Sequence, residues 1–263
     1  MIALNFDNSF VSFGIFMIVL GLFKIFITKI FYKTYLSIRG VTLPRTYTEV
    51  TFGLSLYKFI YYLLAIMVGI ATLNNENWVF DTAKLVMPLK SIPLKFKLYY
   101  TFELAFYTVE ILTIFFEPFK KDFAQMLTHH FVTIILMLLS FTKDKMKYGL
   151  VILLLHDLSD PLLEFCKIEH RLKDEMVANV FFIIFMFEFI FLRLFVYPKY
   201  ILLTIFKETI KGTFKDKQIY IILVCLSALQ LMHIVWTKYI VQVCIKVLKG
   251  ENARDTREQV KED

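Results

Sequence analysis

Seven long apolar segments constrain the fold of this chain more than any other feature of its sequence. They lie at about 9–32, 52–73, 98–118, 124–142, 148–166, 176–206 and 219–247. Each is close to or above the roughly 20 residues that a helix needs to cross the hydrocarbon core of a bilayer. Backbone groups in lipid must be bonded within a helix or a closed barrel, and the short alternating strands of a barrel are missing from the sequence. The sequence therefore predicts an all-α, polytopic membrane protein with about seven transmembrane helices.

Composition and charge narrow the class further. Apolar residues make up 58% of the 263 positions, above the average of a soluble domain. The first segment follows Asn5 and Asp7 without a basic region, so we expect a retained helix and not a cleaved signal peptide. The lysines and arginines behind the net charge of +7 lie mostly in short loops and the tail, which predicts contact with anionic lipid head groups and no nucleic-acid partner.

The chain divides into three predicted parts. Residues 1–45 would form an N-terminal transmembrane helix and loop, residues 46–249 the main helical domain, and residues 250–263 a charged tail. Basic loop residues are slightly more numerous on the side that holds the C-terminus. The positive-inside rule therefore favours a cytosolic tail.

Ionisable side chains interrupt the fourth and fifth apolar segments. His129 and His130 are adjacent in the fourth, and His156, Asp157 and Asp160 lie in the fifth. Such groups cost a few kcal/mol each inside a membrane and mark functional sites. The two adjacent histidines point about 100° apart on a helix, so one can act while the other orients. Spacings of three and four place the fifth segment's cluster near one helix face.

Other segments supply further polar side chains. These are Lys58, Glu103, Glu110, Glu164, Glu188, Arg193, Gln230 and His233. Pro161 cannot donate to the carbonyl of Asp157, which predicts a bend of the helix beside the cluster. A bundle whose polar faces converge would enclose a wet chamber inside the membrane.

Imidazole beside carboxylate is suited to acyl or proton transfer, because the carboxylate fixes the tautomer and raises the basicity of the ring. For His233 or Glu110 taken alone, bonding between helices is the simpler interpretation. The histidines and aspartates could also ligate zinc or iron. The chain has five histidines and no HxxxH pattern of the kind that membrane desaturases use, so no metal is predicted.

The motifs resemble those of a known family. The string His129-His130-x-x-Thr133, followed by His156-Asp157-x-x-Asp160-x-x-Leu163-Glu164, resembles the signature of the ceramide synthases within the TLC-domain membrane proteins. Flanking strings agree over about residues 50–248: Tyr99-Tyr100-x-x-x-Glu103-Leu104-x-Phe106-Tyr107, Lys121-Asp122-Phe123, Asn77-Trp78-Val79-Phe80-Asp81, Arg193 with Pro198, and Gln230-x-x-His233-x-x-Trp236. The resemblance implies a TLC domain at 46–249, with six helices around a polar chamber.

The resemblance also implies an activity. A ceramide synthase moves a fatty acyl chain from coenzyme A to the amino group of a sphingoid base, giving (dihydro)ceramide. The implied partners are fatty acyl-CoA as co-substrate, the sphingoid base and membrane lipids, with no other cofactor. The implied location is the endoplasmic reticulum membrane, as a multi-pass protein. A homodimer and an accessory subunit both stay open, as does acyl-chain preference, which the family ties to the loop here at 207–218.

The resemblance and the chemistry of the side chains together predict the residues of the site. His129 is predicted to be the nucleophile or general base, His130 and His156 to orient it or shuttle protons, and Asp157 and Asp160 to hold the imidazoles or the ammonium. The predicted substrate-binding residues are Glu103, Glu164, Arg193, His233 and Trp236. Two alternatives are a non-enzymatic TLC-domain protein, lipid-sensing or translocon-associated, and a proton-coupled lipid transporter.

Overall fold

The computed structural model describes residues 6–43, 46–119, 122–142, 144–214 and 216–250. Within these ranges every regular element is helical and there is no strand, which confirms the all-α prediction. The predicted charged tail beyond Gly250 lies outside the described residues, and so does Lys121 of the flanking strings. The domain boundaries at residues 45 and 249 stay predictions.

Eleven α-helices follow one another along the described part of the chain. They are α1 (Phe6–Phe26), α2 (Tyr32–Arg39), α3 (Thr46–Leu73), α4 (Thr82–Val86), α5 (Leu94–Thr113), α6 (Phe123–Ser140), α7 (Met146–Asp157), α8 (Asp160–Arg171), α9 (Glu175–Phe189), α10 (Leu203–Ile210) and α11 (Gln218–Leu248). A π-helical turn, Ile27–Phe31, joins α1 to α2, and a longer π-helical segment, Ile190–Leu202, joins α9 to α10. A 3₁₀ turn, Ile114–Phe116, ends α5.

Six helical segments among the described residues are long and apolar enough to cross a membrane. They are Ser9–Arg39, Thr48–Leu73, Leu94–Phe116, Phe123–Ser140, Glu175–Ile210 and Gln218–Leu248. The polytopic character is thereby confirmed. Exposed Phe, Ile, Leu and Val side chains cover the outside of these helices, as expected of a surface that faces lipid.

The fifth predicted segment, 148–166, is not one continuous helix, which corrects the prediction of a single span there. It is divided between α7 and α8, which have 12 residues each, about 18 Å of helix apiece. Leu158 and Ser159 join them and keep right-handed helical dihedral angles, so the chain does not reverse here; we call this break between the two helices the kink. Pro161 lies in the first turn of α8, where its missing N–H costs no helical bond. The helix is therefore interrupted where the sequence predicts a bend, and the bend itself stays a prediction.

Packing between helices sets the position of the interior polar residues. The helix α1 packs along α5, α3 packs against α8, and α8 packs against α9. The helix α6 contacts both α5 and α11, while α7 contacts α3 and the π-helical segment. These contacts bring the polar positions of α3, α5, α6, α7, α11 and the π-helical segment together inside the bundle.

Ion pairs mark the two ends of the bundle. At one end Arg39 of α2 lies 3.6 Å from Glu169 of α8. At the other, Lys145 before α7 lies 2.8 Å from Asp216 before α11. We call these the Arg39 end and the Lys145 end.

Candidate active site

Aromatic ring contacts join four of the five histidines inside the bundle. The His129 ring lies 5.5 Å from the His130 ring and 5.3 Å from the indole of Trp236. Trp236 continues to His233 at 6.2 Å, and His233 to His156 at 5.0 Å. All five side chains are buried. Three helices, α6, α7 and α11, thus supply one histidine cluster, and residues predicted separately as catalytic and substrate-binding lie together in it.

The His156 ring is held at both nitrogens. Its Nδ1 lies 2.7 Å from the carbonyl oxygen of Ile152, and its Nε2 lies 3.2 Å from Nε2 of His233. A carbonyl only accepts, so Nδ1 of a neutral His156 carries the proton and Nε2 is bare. His233 then donates from Nε2. The ring of Tyr197 lies against both imidazoles, 5.5 and 5.2 Å away.

Arg193 closes the kink between α7 and α8. Its Nη2 donates to the carbonyl oxygen of His156 at 2.6 Å, to Asp160 Oδ1 at 3.0 Å and to Ser159 Oγ at 3.3 Å. The kink frees this carbonyl, one residue before the Asp157 carbonyl that the sequence indicated. Arg193 lies in the π-helical segment, and such irregular turns are frequent at functional sites.

Asp157 faces a different neighbourhood from Asp160. It is fully buried, and within the described part of the chain neither carboxylate oxygen has a hydrogen-bond partner of good geometry. Glu103 of α5 and Tyr99 lie close enough to interact with it electrostatically. Glu103 itself accepts a hydrogen bond from the Tyr61 hydroxyl at 2.9 Å. The structure therefore pairs Asp157 with a second buried carboxyl group and not with an imidazole.

Glu164 lies one turn beyond Asp160 on α8, outside the ring contacts. It accepts a hydrogen bond from Lys167 at 2.7 Å and interacts electrostatically with Lys58 of α3. Of the predicted substrate-binding residues, His233 and Trp236 belong to the histidine cluster, Arg193 borders it through His156, and Glu103 and Glu164 lie beside it.

An apolar cavity extends from the histidine cluster to the Lys145 end. It has an empty volume of about 620 Å³ including its opening. Tyr107, Thr133 and His156 line it at the cluster, whereas Lys145 and Phe214 line it at the far end. Between them the wall is mostly aliphatic, from α6, α7 and α11. Gly149 belongs to this wall because α5 approaches closely there: a Cβ at that position would lie 2.8 Å from a ring carbon of Tyr100.

A second, polar cavity opens on the other side of the cluster. It has an empty volume of about 410 Å³ including its opening. His130, Lys58, Glu110, Glu117 and Asp122 line it. Each of the two adjacent histidines therefore has its own surroundings: His130 faces the polar cavity, and His129 contacts Trp236.

Sequence reasoning missed Lys24 and Glu117, and it named Tyr107 only as part of a flanking string. Lys24 of α1 is buried and lies 2.8 Å from Glu110 and 2.7 Å from Glu117. A lysine inside an apolar segment is the signal that could have found it. Tyr107 contacts the rings of both His129 and His130, at 6.3 and 5.8 Å. The family resemblance includes Tyr107, but no role at the site was predicted for it.

Among the described residues, no group of three or more His, Cys, Asp or Glu side chains is placed to hold a metal ion. The predictions on metal and cofactors stay predictions. Nδ1 of His129, His130 and His233 is buried without a hydrogen-bond partner in the described part of the chain, so each of these nitrogens is available as a donor or an acceptor.

The fold and the histidine cluster define a class: a helical, multi-pass membrane protein with a cluster of titratable side chains buried at its centre. Comparison with known proteins agrees with this. The TLC domain family matches residues 51–242. Ceramide synthase 4 of Bos taurus is 35% identical over 211 residues, covering 79% of this chain and 54% of the relative. Ceramide synthase 4 of Homo sapiens is 33% identical, covering 78% and 53%.

A plant relative is covered more fully. Ceramide synthase 1 LOH3 of Arabidopsis thaliana is 32% identical over 220 residues, covering 77% of this chain and 71% of the relative. The chain belongs to the TLC domain family, in its ceramide synthase branch. It spans about half the length of the mammalian relatives that it matches.

Proposed function

We propose that this protein is an acyl-CoA-dependent sphingosine N-acyltransferase, which joins a fatty acyl chain to the amino group of a sphingoid base and gives (dihydro)ceramide and free coenzyme A. The observation that carries the proposal is the meeting of two unlike cavities at one histidine cluster. The apolar cavity reaches the cluster at His156, and the polar cavity reaches it at His130.

The apolar cavity is suited to the acyl chain. Its wall between Tyr107 and Phe214 is mostly aliphatic and aromatic. A hydrocarbon chain bound there would be removed from water and would contact mainly apolar side chains. A chain inserted from the cluster would leave its carbonyl carbon beside the imidazoles. The thioester and the hydrophilic coenzyme A would then extend towards the polar side of the cluster.

The proposed chemistry begins at His129. A neutral imidazole nitrogen attacks the thioester carbonyl, the carbon–sulfur bond breaks, and coenzyme A leaves as the thiol after its sulfur takes up the N–H proton of the acylated ring. The acyl-imidazole that results holds the acyl group while the leaving coenzyme A makes way for the second substrate. Neutral amine then attacks the same carbonyl, the carbon–imidazole bond breaks, and the amine proton goes to the departing imidazole.

The remaining predicted residues take supporting roles in this proposal. His130 faces the polar cavity and is placed to accept a proton from the incoming ammonium, which must be deprotonated before it attacks. Hydrogen bonds hold His156 in one tautomer. Arg193 and Asp160 fix the kink on which His156 lies, through the carbonyl of that residue. No cofactor besides acyl-CoA is proposed, and the location proposed is the endoplasmic reticulum membrane.

An acyl-transfer assay tests the function directly. Purified protein in detergent with native lipid would receive a panel of acyl-CoAs and dihydrosphingosine, with ceramide measured by mass spectrometry. We expect product from the wild type, and a loss of at least a hundredfold in His129→Ala. Asp160→Asn should lower the rate as well, because Arg193 loses its carboxylate partner.

His170→Ala is the matched control. His170 is the one histidine outside the cluster and pairs with Glu175 at 2.8 Å, so its removal should leave the rate near that of the wild type. Intact-protein mass spectra after mixing with acyl-CoA alone would show whether the acyl group is covalently held, and on which histidine. A folded wild type that yields no ceramide with any acyl-CoA would contradict the proposal and favour a non-enzymatic TLC-domain lipid-binding protein.

A further inference from the structure

The polar cavity contains more charged groups than acyl transfer from coenzyme A requires. Besides His130, one lysine from α3 and three carboxylates from the C-terminal end of α5 and the start of α6 line its wall: Lys58, Glu110, Glu117 and Asp122. Most of these groups are buried, and the cost of burying charge is recovered only by pairing or by a bound ligand.

The two lysines near the cavity already form ion pairs with carboxylates. Lys24 lies behind the wall and donates to Glu110 Oε1 at 2.8 Å, Glu117 Oε1 at 2.7 Å and the Thr113 hydroxyl at 2.6 Å. Lys58 lies 2.7 Å from Glu110 Oε2. Both oxygens of Glu110 are thereby occupied by lysines. An ammonium group with two carboxylates around it is a poor site for a further anion.

Glu117 has a carboxylate oxygen that is still available to accept a hydrogen bond or to pair with a cation. Lys24 uses its Oε1, and within the described part of the chain no hydrogen bond is formed by its Oε2. The side chain is 13% exposed and lines the cavity. Apolar side chains of Ile114, Phe123 and Met126 line the same wall. Carboxylate oxygen beside apolar surface is complementary to a cationic head on a hydrocarbon chain.

We infer that the polar cavity binds the protonated amino head of a long-chain base, with Glu117 as its counter-ion. This inference rests on the proposed function and names where its second substrate binds. His130 lines the same cavity, and among the described residues its Nδ1 has no hydrogen-bond partner. The ammonium gives one proton to this nitrogen and becomes the neutral amine. The acylated His129, whose ring lies 5.5 Å from that of His130, then lies next to it.

Lys24 acts as a positioning residue in this arrangement. It lies on α1, outside residues 51–242 that match the TLC domain. By holding Oε1 of Glu117 it turns Oε2 towards the cavity. The first helix would therefore complete the binding site for the amine.

Binding of a base that cannot be acylated tests the inference without turnover. The probe is the N,N,N-trimethyl derivative of sphingosine, a fixed cation, bound to the full chain in detergent and measured by isothermal titration. We expect Glu117→Gln to weaken its binding about tenfold or more, because a charge-assisted contact is lost. Acyl-CoA binding should be unchanged. Glu117→Asp, which keeps the charge, should recover part of the affinity.

Glu76→Gln is the matched control, since Glu76 also forms a 2.7 Å pair with a lysine, Lys95, but lies outside both cavities. A second comparison uses only the wild type, so a misfolded variant cannot affect its result. The wild type should bind the cation at least tenfold more tightly than the uncharged analogue that has a hydroxyl group in place of the amine. Equal binding of the two probes, or no binding of the cation, would overturn the inference. So would a Glu117→Gln that binds acyl-CoA more weakly and the cation normally, because the cavity would then hold coenzyme A.

The two proposals can fail separately. If the wild type binds the cation through Glu117 but makes no ceramide, the cavity is an amine site in a protein that is not an acyltransferase. If it makes ceramide while Glu117→Gln leaves cation affinity and the Michaelis constant for the base unchanged, only the amine site is refuted.

Discussion

Nε2 of His156 on α7 lies 3.2 Å from Nε2 of His233 on α11. Two ring nitrogens can bond only when one of them carries a proton and the other does not. Because Nδ1 of His156 donates to the Ile152 carbonyl, His233 is the donor when both rings are neutral. If His156 took up a second proton, its N–H would face that of His233 and the bond would break. The pair therefore ties the protonation of His156 to the tautomer of His233.

Replacement of His233 tests this coupling. We expect His233→Ala to lower kcat about tenfold to a hundredfold, less than the loss of a group that transfers a proton itself. His233→Asn should retain more activity, because an amide N–H can still donate to His156. Ceramide formation measured against acyl-CoA and base concentration would separate kcat from KM. An alanine variant with wild-type kcat would show that the contact is only structural.

Close packing at Gly149 gives a second prediction, on stability. A Cβ there would lie 2.8 Å from a ring carbon of Tyr100, whose hydroxyl is hydrogen-bonded to Ser140. Tyr100 is almost fully buried and has little room to move. Gly149→Ala should therefore destabilise the protein by about 1 to 3 kcal/mol.

Thermal unfolding in detergent would measure this effect. Gly21→Ala on α1 is the control, since a Cβ there meets nothing within 4 Å. We expect that variant to unfold at or slightly above the wild-type temperature, because alanine favours helix over glycine. Equal melting of the Gly149 variant and the control would refute the packing argument.

The sequence predicted the helices well because apolar length alone determines where a chain can cross a membrane. It also predicted that His129 and His130 would differ in their surroundings, since adjacent residues of a helix point about 100° apart. It could not predict which of the two faces the polar cavity, because that depends on how α6 rotates against α5 and α11. The break at Leu158 followed from Pro161, but the use of the freed carbonyl by Arg193 did not.

Lys24 shows a different limit. Its segment is apolar enough to be interpreted as a separate helix, and the division at residue 45 set it apart from the main domain. The ion pairs with Glu110 and Glu117 join residues 86 and 93 positions apart. Such distant pairs follow from tertiary packing, which a single sequence does not encode in any local pattern.

Removal of Lys24 gives a third prediction. Lys24→Met would leave Glu117 without its lysine and Glu110 with only Lys58, and breaking a buried pair costs about 3 to 5 kcal/mol. Adding Glu117→Gln should recover part of this loss, because one of the uncompensated charges is then removed. A double-mutant cycle of unfolding free energies in detergent would measure the coupling. Additive effects would mean that the two residues do not interact in solution.

The ion pair at the Lys145 end gives the fourth prediction, on the acyl chain. Lys145 and Phe214 line the far end of the apolar cavity, and Lys145 holds Asp216 in the loop between α10 and α11. Lys145→Met should break the ion pair that holds this loop at the end of the cavity. We therefore expect the preferred acyl-CoA to shift towards longer chains. Because Asp216 is half-exposed, we expect less than about 1 kcal/mol of stability to be lost with the pair. Relative rates across acyl-CoAs of increasing length, with Gly21→Ala as the neutral reference, would measure the shift.

The same pair predicts a pH dependence with a definite sign. The hydrogen bond from Lys145 lowers the pKa of Asp216 from its ordinary value. A carboxyl group whose pKa is lowered by folding contributes stability above its unfolded pKa, near 3.9, and that contribution is lost as the pH falls through the folded value. The pair is therefore fully formed at neutral pH, and chain preference should stay constant from about pH 5 to 8. An Asp216→Asn variant that keeps the wild-type preference across that range, while Lys145→Met changes it, would show that the lysine acts by filling the cavity end and not by holding the loop.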